Sequence, residues 1–224
     1  MLQSFPAAFV AAAVTVLAVA PASATVLVDF ESLATPPALD AATGFEFANG
    51  GSLDLAGVRW DAELYVVGAG YRVDAATPGP LYGLPHSGDH YVGNHNGADG
   101  ILLETTQVLT GAWFARNEYY GFGGGADQVS ITALGAGGDL LTLSLDLPEL
   151  LAGLPEQPGF FDTSAFLALS GITGYRIDRR ETGPFSADWV ADDFTFEAAV
   201  TAIPAPSVLA LFGLGGLGLC RRRR

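Results

Sequence analysis

The chain has 224 residues and a mass of 23.2 kDa; half of it is hydrophobic, only 15% is charged, and it carries 29 Gly and 13 Pro. That length fits one domain with a sizeable core, and the Gly, Pro and aromatic content suits short strands and tight turns, excluding long helices, disorder and a coiled coil. All 24 acids lie between Asp29 and Glu197 with six arginines and no lysine, a net −18 that repels phosphate backbones and argues against a nucleic-acid partner; the other four arginines end the chain.

In chain order, residues 1–24 read as a signal peptide. The uncharged apolar run 7–20 is followed by Pro21 and by Ala22-Ser23-Ala24. Small residues at Ala22 and Ala24 suit signal peptidase, which predicts cleavage before Thr25. An uncleaved membrane anchor is the alternative. The only cysteine, Cys220, lies in the tail, so the body has no disulfide, no Cys-based zinc site and no thiol nucleophile.

The body, 25–200, is dominated by period-two alternation. Val26, Val28 and Phe30 predict a first strand, and Val58 to Asp61, Leu64 to Val67 and Gly111 to Ala115 predict others. Trp60 and Trp113 are expected in the core. The clearest element is a hairpin. Val129, Ile131 and Ala133 alternate before the turn 135–139, and Leu141, Leu143, Leu145 and Leu147 alternate after it with Thr142, Ser144 and Asp146. Tyr175 to Asp178 and Asp193 to Glu197 follow the same rule, and only 148–154 hints at a helical turn. Eight to ten strands between Gly, Pro and Asp turns predict an all-β, antiparallel two-sheet β-sandwich or jelly roll.

Candidate chemistry concentrates in few places. His86, His90 and His95 are zinc ligands by type, but the intervening Ser-Gly-Asp opposes a helix that would align them, and the stretch reads as an exposed polar loop. His86, Ser87 and Asp89 contain the atoms of a hydrolytic triad, yet triad members normally converge from separate elements, and no Gly-x-Ser-x-Gly occurs. Among 24 acids no glycosidase pair stands out. A structural calcium is the expected cofactor if the first and last strands are neighbours, bringing Asp29 and Glu31 to Asp192 and Asp193. The turn Asn94 to Gly100 is a second oxygen-rich stretch without the spacing of an EF-hand. Gly121 to Gly125 is a turn without a phosphate-loop Lys. Tyr119 and Tyr120 are the candidate ligand-stacking pair.

The chain ends Ile203-Pro204-Ala205-Pro206-Ser207, then an apolar run 208–220, then Arg221, Arg222, Arg223 and Arg224. The run predicts a short membrane-spanning helix with the arginines on the cytoplasmic side and the body outside. This three-part tail, residues 202–224, resembles the PEP-CTERM sorting signal of Gram-negative bacteria, with Ala205 where that motif usually carries Glu. The resemblance implies recognition at Pro204 and Pro206 by an exosortase, a membrane enzyme that cuts near the motif and delivers the body to the cell surface or an exopolysaccharide matrix. The body is similar to other secreted PEP-CTERM proteins, and more loosely to carbohydrate-binding jelly rolls, at Val28-Asp29-Phe30-Glu31, Ser87-Gly88-Asp89 and Trp189-Val190-Ala191-Asp192-Asp193-Phe194.

Together these readings predict an exported, non-catalytic surface or matrix protein. Its expected partners are signal peptidase, an exosortase, exopolysaccharide and, before processing, the membrane. A calcium-assisted carbohydrate-binding module and an extracellular polymer hydrolase are the alternatives. An ice-binding role lacks a regular Thr-x-Thr array.

Overall fold

The computed structural model describes residues 24–33, 45–47, 52–68, 83–94, 97–117, 125–147, 157–180 and 188–198. The predicted signal helix, the tail with Pro204 to Ser207 and Arg221 to Arg224, and Tyr119 and Tyr120 lie outside them, as do Ala22 and His95.

Among the described residues, thirteen strands form two antiparallel sheets. They are β1 (Thr25–Val28), β2 (Phe45–Phe47), β3 (Leu53–Leu55), β4 (Val58–Trp60), β5 (Leu64–Gly68), β6 (His90–Asn94), β7 (Ile101–Glu104), β8 (Val108–Arg116), β9 (Gln128–Gly135), β10 (Gly138–Asp146), β11 (Gly159–Asp162), β12 (Ile172–Arg180) and β13 (Trp189–Glu197). One sheet runs β11-β8-β13-β6-β5-β2, with β1 also paired to β13; the other runs β10-β9-β12-β7-β4-β3. A 3-10 turn, Ser164–Ala168, drops Phe166 into the core.

Alternation decides which side chains enter the core. On β9, Val129, Ile131 and Ala133 are buried on the core face, while on the other face Ser130 meets Ser144 at 2.7 Å and Thr132, buried there, meets Thr142 at 2.8 Å. These hydroxyl pairs continue the register of the predicted hairpin (Ile131↔Leu143, Thr132↔Thr142). The centre of the core is aromatic. Trp60 meets Phe30 at 5.1 Å and Phe194 at 5.0 Å, both edge to face. Each buried ring of this size contributes roughly 1.5–3 kcal/mol by leaving water. Tyr175 bridges the sheets: its hydroxyl accepts from Leu109 N–H at 2.8 Å and donates to the Gln107 carbonyl at 3.0 Å. Burial pushes that phenol up to about 12, against the lowering effect of the Leu109 N–H.

Two expectations are corrected. The stretch around the histidines is not wholly an exposed loop: residues 90–94 form β6, with Tyr91 and Val92 buried. Trp113 does not fill the core. On β8 it is Phe114 that points inward, 1% exposed, and period two then turns its neighbour Trp113 to the outer face, where it meets Phe160 at 5.3 Å.

Candidate functional site

The site grows from a gap in the sheet. On one edge of β13, β6 pairs with Val190 and Ala191, and β1 pairs with Phe194 to Glu197. Asp192 and Asp193 sit between these two partners. On the opposite edge the register with β8 shifts between Asp192 and Thr195. Asp193 itself is left-handed, φ +50°, a conformation that Asp tolerates better than most residues. The bulge swings both carboxylates toward the segment that enters β6.

That segment, His86 to His90, supplies the donors. Asp192 Oδ2 accepts from the backbone N–H of His86 at 2.9 Å and of Ser87 at 3.0 Å, while its Oδ1 accepts from Asp193 N–H at 2.8 Å. Asp193 Oδ2 lies 2.6 Å from His86 Nδ1, and its Oδ1 accepts from the Ser87 hydroxyl at 2.9 Å. Glu31, just past β1, grips the other end: Oε1 accepts from Asp89 N–H at 2.7 Å and from His90 N–H, and Oε2 lies 2.9 Å from His90 Nδ1. Gly88 makes the close approach possible. Its φ is +57°, and a Cβ there would stand 2.4 Å from Glu31 Oε1.

The electrostatics follow from burial. Asp192 is fully buried, and desolvation pushes its carboxyl up to about 7; the Asp193 charge pushes the same way, against the N–H groups of Ser87, Asp193 and His86. For Glu31 burial works upward, but the hydrogen bonds from the His90 ring and from the Asp89 and His90 N–H groups outweigh it and hold the carboxyl below its ordinary value. Over the clasp lies an aromatic lid. The His86 ring stacks on Trp113 at 3.6 Å with an 11° tilt, and Phe160, paired in register with Trp113, remains 48% exposed.

Glu31, Asp192 and Asp193 thus hold opposite ends of one segment, through neighbouring first and last strands. Asp29 turns back locally, accepting from Glu31 N–H at 3.2 Å. Among the described residues no group of three or more His, Asp or Glu side chains is placed to hold a metal ion. Ser87 donates to Asp193 rather than to an imidazole, and Asp89 contributes its backbone N–H, so the adjacent Ser, His and Asp do not form a nucleophile and base pair. Thr25 opens β1, and Ala24 accepts at its carbonyl from Ala198 N–H at 3.3 Å. Sequence reasoning missed His86, Ser87 and His90 as the carboxylates' partners. The polar run from His86 to His90 was their signal, but it meets Asp192 and Asp193 across more than a hundred residues.

Comparison with known proteins bears on the tail and on the fold. Residues 202–224 match the PEP-CTERM protein-sorting motif. The chain therefore carries that signal, which implies export, sorting to the cell envelope and recognition by an exosortase-type membrane enzyme. Among solved structures, the fold is similar to a DUF4465 family protein from Bacteroides caccae (TM-score 0.52, 15% identity, 78% of this chain and 99% of that one). The K2 cleaved adhesin domain of Lys-gingipain also aligns (TM-score 0.41, 16% identity, 77% of this chain and 99% of that one). No curated protein matches the chain. Among the described residues no helix is long and apolar enough to cross a membrane.

Proposed function

We propose that this protein is an exosortase substrate that works outside the cytoplasm as a non-catalytic component of the cell surface or extracellular matrix. The observation that carries the reading is the sorting motif at 202–224, placed directly after a sandwich that ends at β13. The non-catalytic part is supported by the clasp. Its carboxylates are taken up in holding the 86–90 segment, and its one Ser, His and Asp grouping is bonded in the wrong sense for nucleophilic attack. The test is the intact mass of the protein from envelope and medium of its host, with and without the exosortase. A mass that starts at Thr25, ends near Pro204 to Ser207 and depends on the enzyme is expected. Retention of Arg221 to Arg224 in both strains would sink the sorting claim.

A second reading, glycan binding, is favoured by the aromatic ledge. Phe160 and Trp113 stand together on the outer face of a sheet whose inner face already fills the core. The exposed Phe160 ring, braced by Trp113, is of the kind that stacks on sugar C–H faces. If neutral oligosaccharides bind on this ledge, Phe160→Ala is expected to weaken them about tenfold on a glycan array, at little cost in stability, because half the ring is already in water. Binding that survives Phe160→Ala and Trp113→Ala alike removes the ledge from consideration.

A further inference from the structure

Both ends of the sandwich leave at one pole. Thr25 and Glu197 are register partners, and beyond them Ala198 N–H bonds the Ala24 carbonyl. Among the described residues, the segments around that exit are 56–57, 105–107, 136–138 and 163–173. They are tied together: Thr105 bonds Gly57 through its hydroxyl and Thr173 through its N–H, and Ile172 pairs with Gly135 at the start of the 136–138 turn. None of these nineteen residues is charged, whereas the chain's 15% charged fraction would place about three charges among them. The nearest acids, Glu104, Asp139, Asp162 and Glu197, stay within the strands, and Asp139 is held by Arg176 at 3.2 Å. The far pole is the reverse: Asp61, Glu63, Asp99, Arg116, Asp127 and Arg180 crowd there.

The exit pole is also apolar in shape. A cavity of about 350 Å³ opens on it across both sheets, lined by Thr106, Val108, Leu167, Leu169, Ile172 and Ala198 among others. Leu167 is 47% exposed and Leu140, beside the 136–138 turn, 41%. The tail then limits how far this pole can stray. Residues 199–207 separate Ala198 from the apolar run, and nine residues reach at most roughly 30 Å. An anionic bilayer repels acids within a Debye length, about 8–10 Å. The far pole, with Asp61, Glu63, Asp99 and Asp127, would be pushed away.

We infer that this uncharged pole, with its Leu167-rimmed cavity, is a seat for the lipid surface, on which the sandwich rests while its tail is still uncut. The inference builds on the sorting role proposed above and adds to it the face that meets the membrane. The test uses the full chain reconstituted in vesicles of phosphatidylethanolamine and phosphatidylglycerol, followed by flotation and hydrogen exchange. The expected result is co-flotation, with amides of 136–140 and 163–173 exchanging about fivefold or more slower than in an Ala136→Asp, Leu167→Asp variant. Amides at 61–64 and 97–100 should match between the two, and both proteins should match throughout in nonionic detergent. Flotation with no slowing at the exit pole overturns the seat alone. Failure to float overturns the tail anchor, and the seat with it.

Discussion

Asp192→Ala is expected to lower the unfolding free energy by about 2–4 kcal/mol, because it strands several backbone donors at once. The reason is the number of donors that one carboxylate serves. His86, Ser87 and Asp193 all give it their backbone N–H groups, and Asp192 itself is fully buried. A buried donor left without an acceptor costs about 1–3 kcal/mol; alanine strands one such donor, Asp193 N–H, and two part-buried ones, His86 and Ser87 N–H. The segment would then hang on Glu31 and Asp193, so exchange protection at His86 and Ser87 should fall with it. Asp193→Ala is expected to cost less, since Asp193 serves only the Ser87 hydroxyl and a His86 ring already a third exposed on its side chain. Urea midpoints decide the matter: a loss under about 1 kcal/mol for Asp192→Ala would mean that water replaces the carboxylate freely.

The same carboxyl gives the fold a pH dependence whose sign is fixed. Its folded pKa, about 7, lies above the ordinary value of 3.8. Between those values the folded state holds a proton that the unfolded state has lost. Its contribution is therefore fully present below the unfolded pKa and is lost as pH rises toward 7. Glu31, held below its ordinary value, works the other way: its contribution is present above the unfolded value of 4.5 and fades on acidification. Asp192→Asn isolates the first effect by keeping the acceptor oxygen and deleting the titration. The stability advantage of the natural protein over this variant is expected to shrink between pH 5 and pH 8, and a gap that stays constant or widens would contradict a protonated Asp192.

The long alternating elements were legible where polar residues mark one face. The β9–β10 hairpin declares itself through Ser130, Thr132, Thr142 and Ser144 on one side and Val129, Ile131, Leu143 and Leu145 on the other. Strands β2, β3 and β7 span three or four residues, and at that length a period stands out only in cases such as β1 and β4. β6 was hidden by its own composition, since His90 and Asn94 flank its buried centre. Trp113 and Phe114 are adjacent, so alternation requires one in and one out, but it does not say which. The clasp was half visible. The approach of Glu31 to the acids of the last strand required the first and last strands to be neighbours, and β1 does pair with β13. What a sequence conceals is the backbone: the donors to Asp192 and Glu31 are mainly N–H groups, which every residue except proline carries.

Trp60→Ala is expected to cost about 3–5 kcal/mol, as large aromatic deletions in a dry core do. Its surroundings place it at the upper end. The indole is fully buried and meets Phe30, Phe194 and Phe196 edge to face, at 5.1, 5.0 and 6.3 Å. Phe30 itself is left-handed, φ +59°, a strained state for a bulky residue that packing must hold in place. Phe30 leads directly into Glu31, so the core ring and the clasp share one short piece of backbone. Loss of Trp60 should therefore loosen the grip on Asp89 and His90 as well as open a cavity. The two sites should couple: the double change Trp60→Ala with Glu31→Gln is expected to cost less than the sum of its parts, because the first change already weakens what the second removes. Strict additivity in a double-mutant cycle would show that the aromatic cluster and the clasp are independent, and that Phe30 keeps its conformation without the indole.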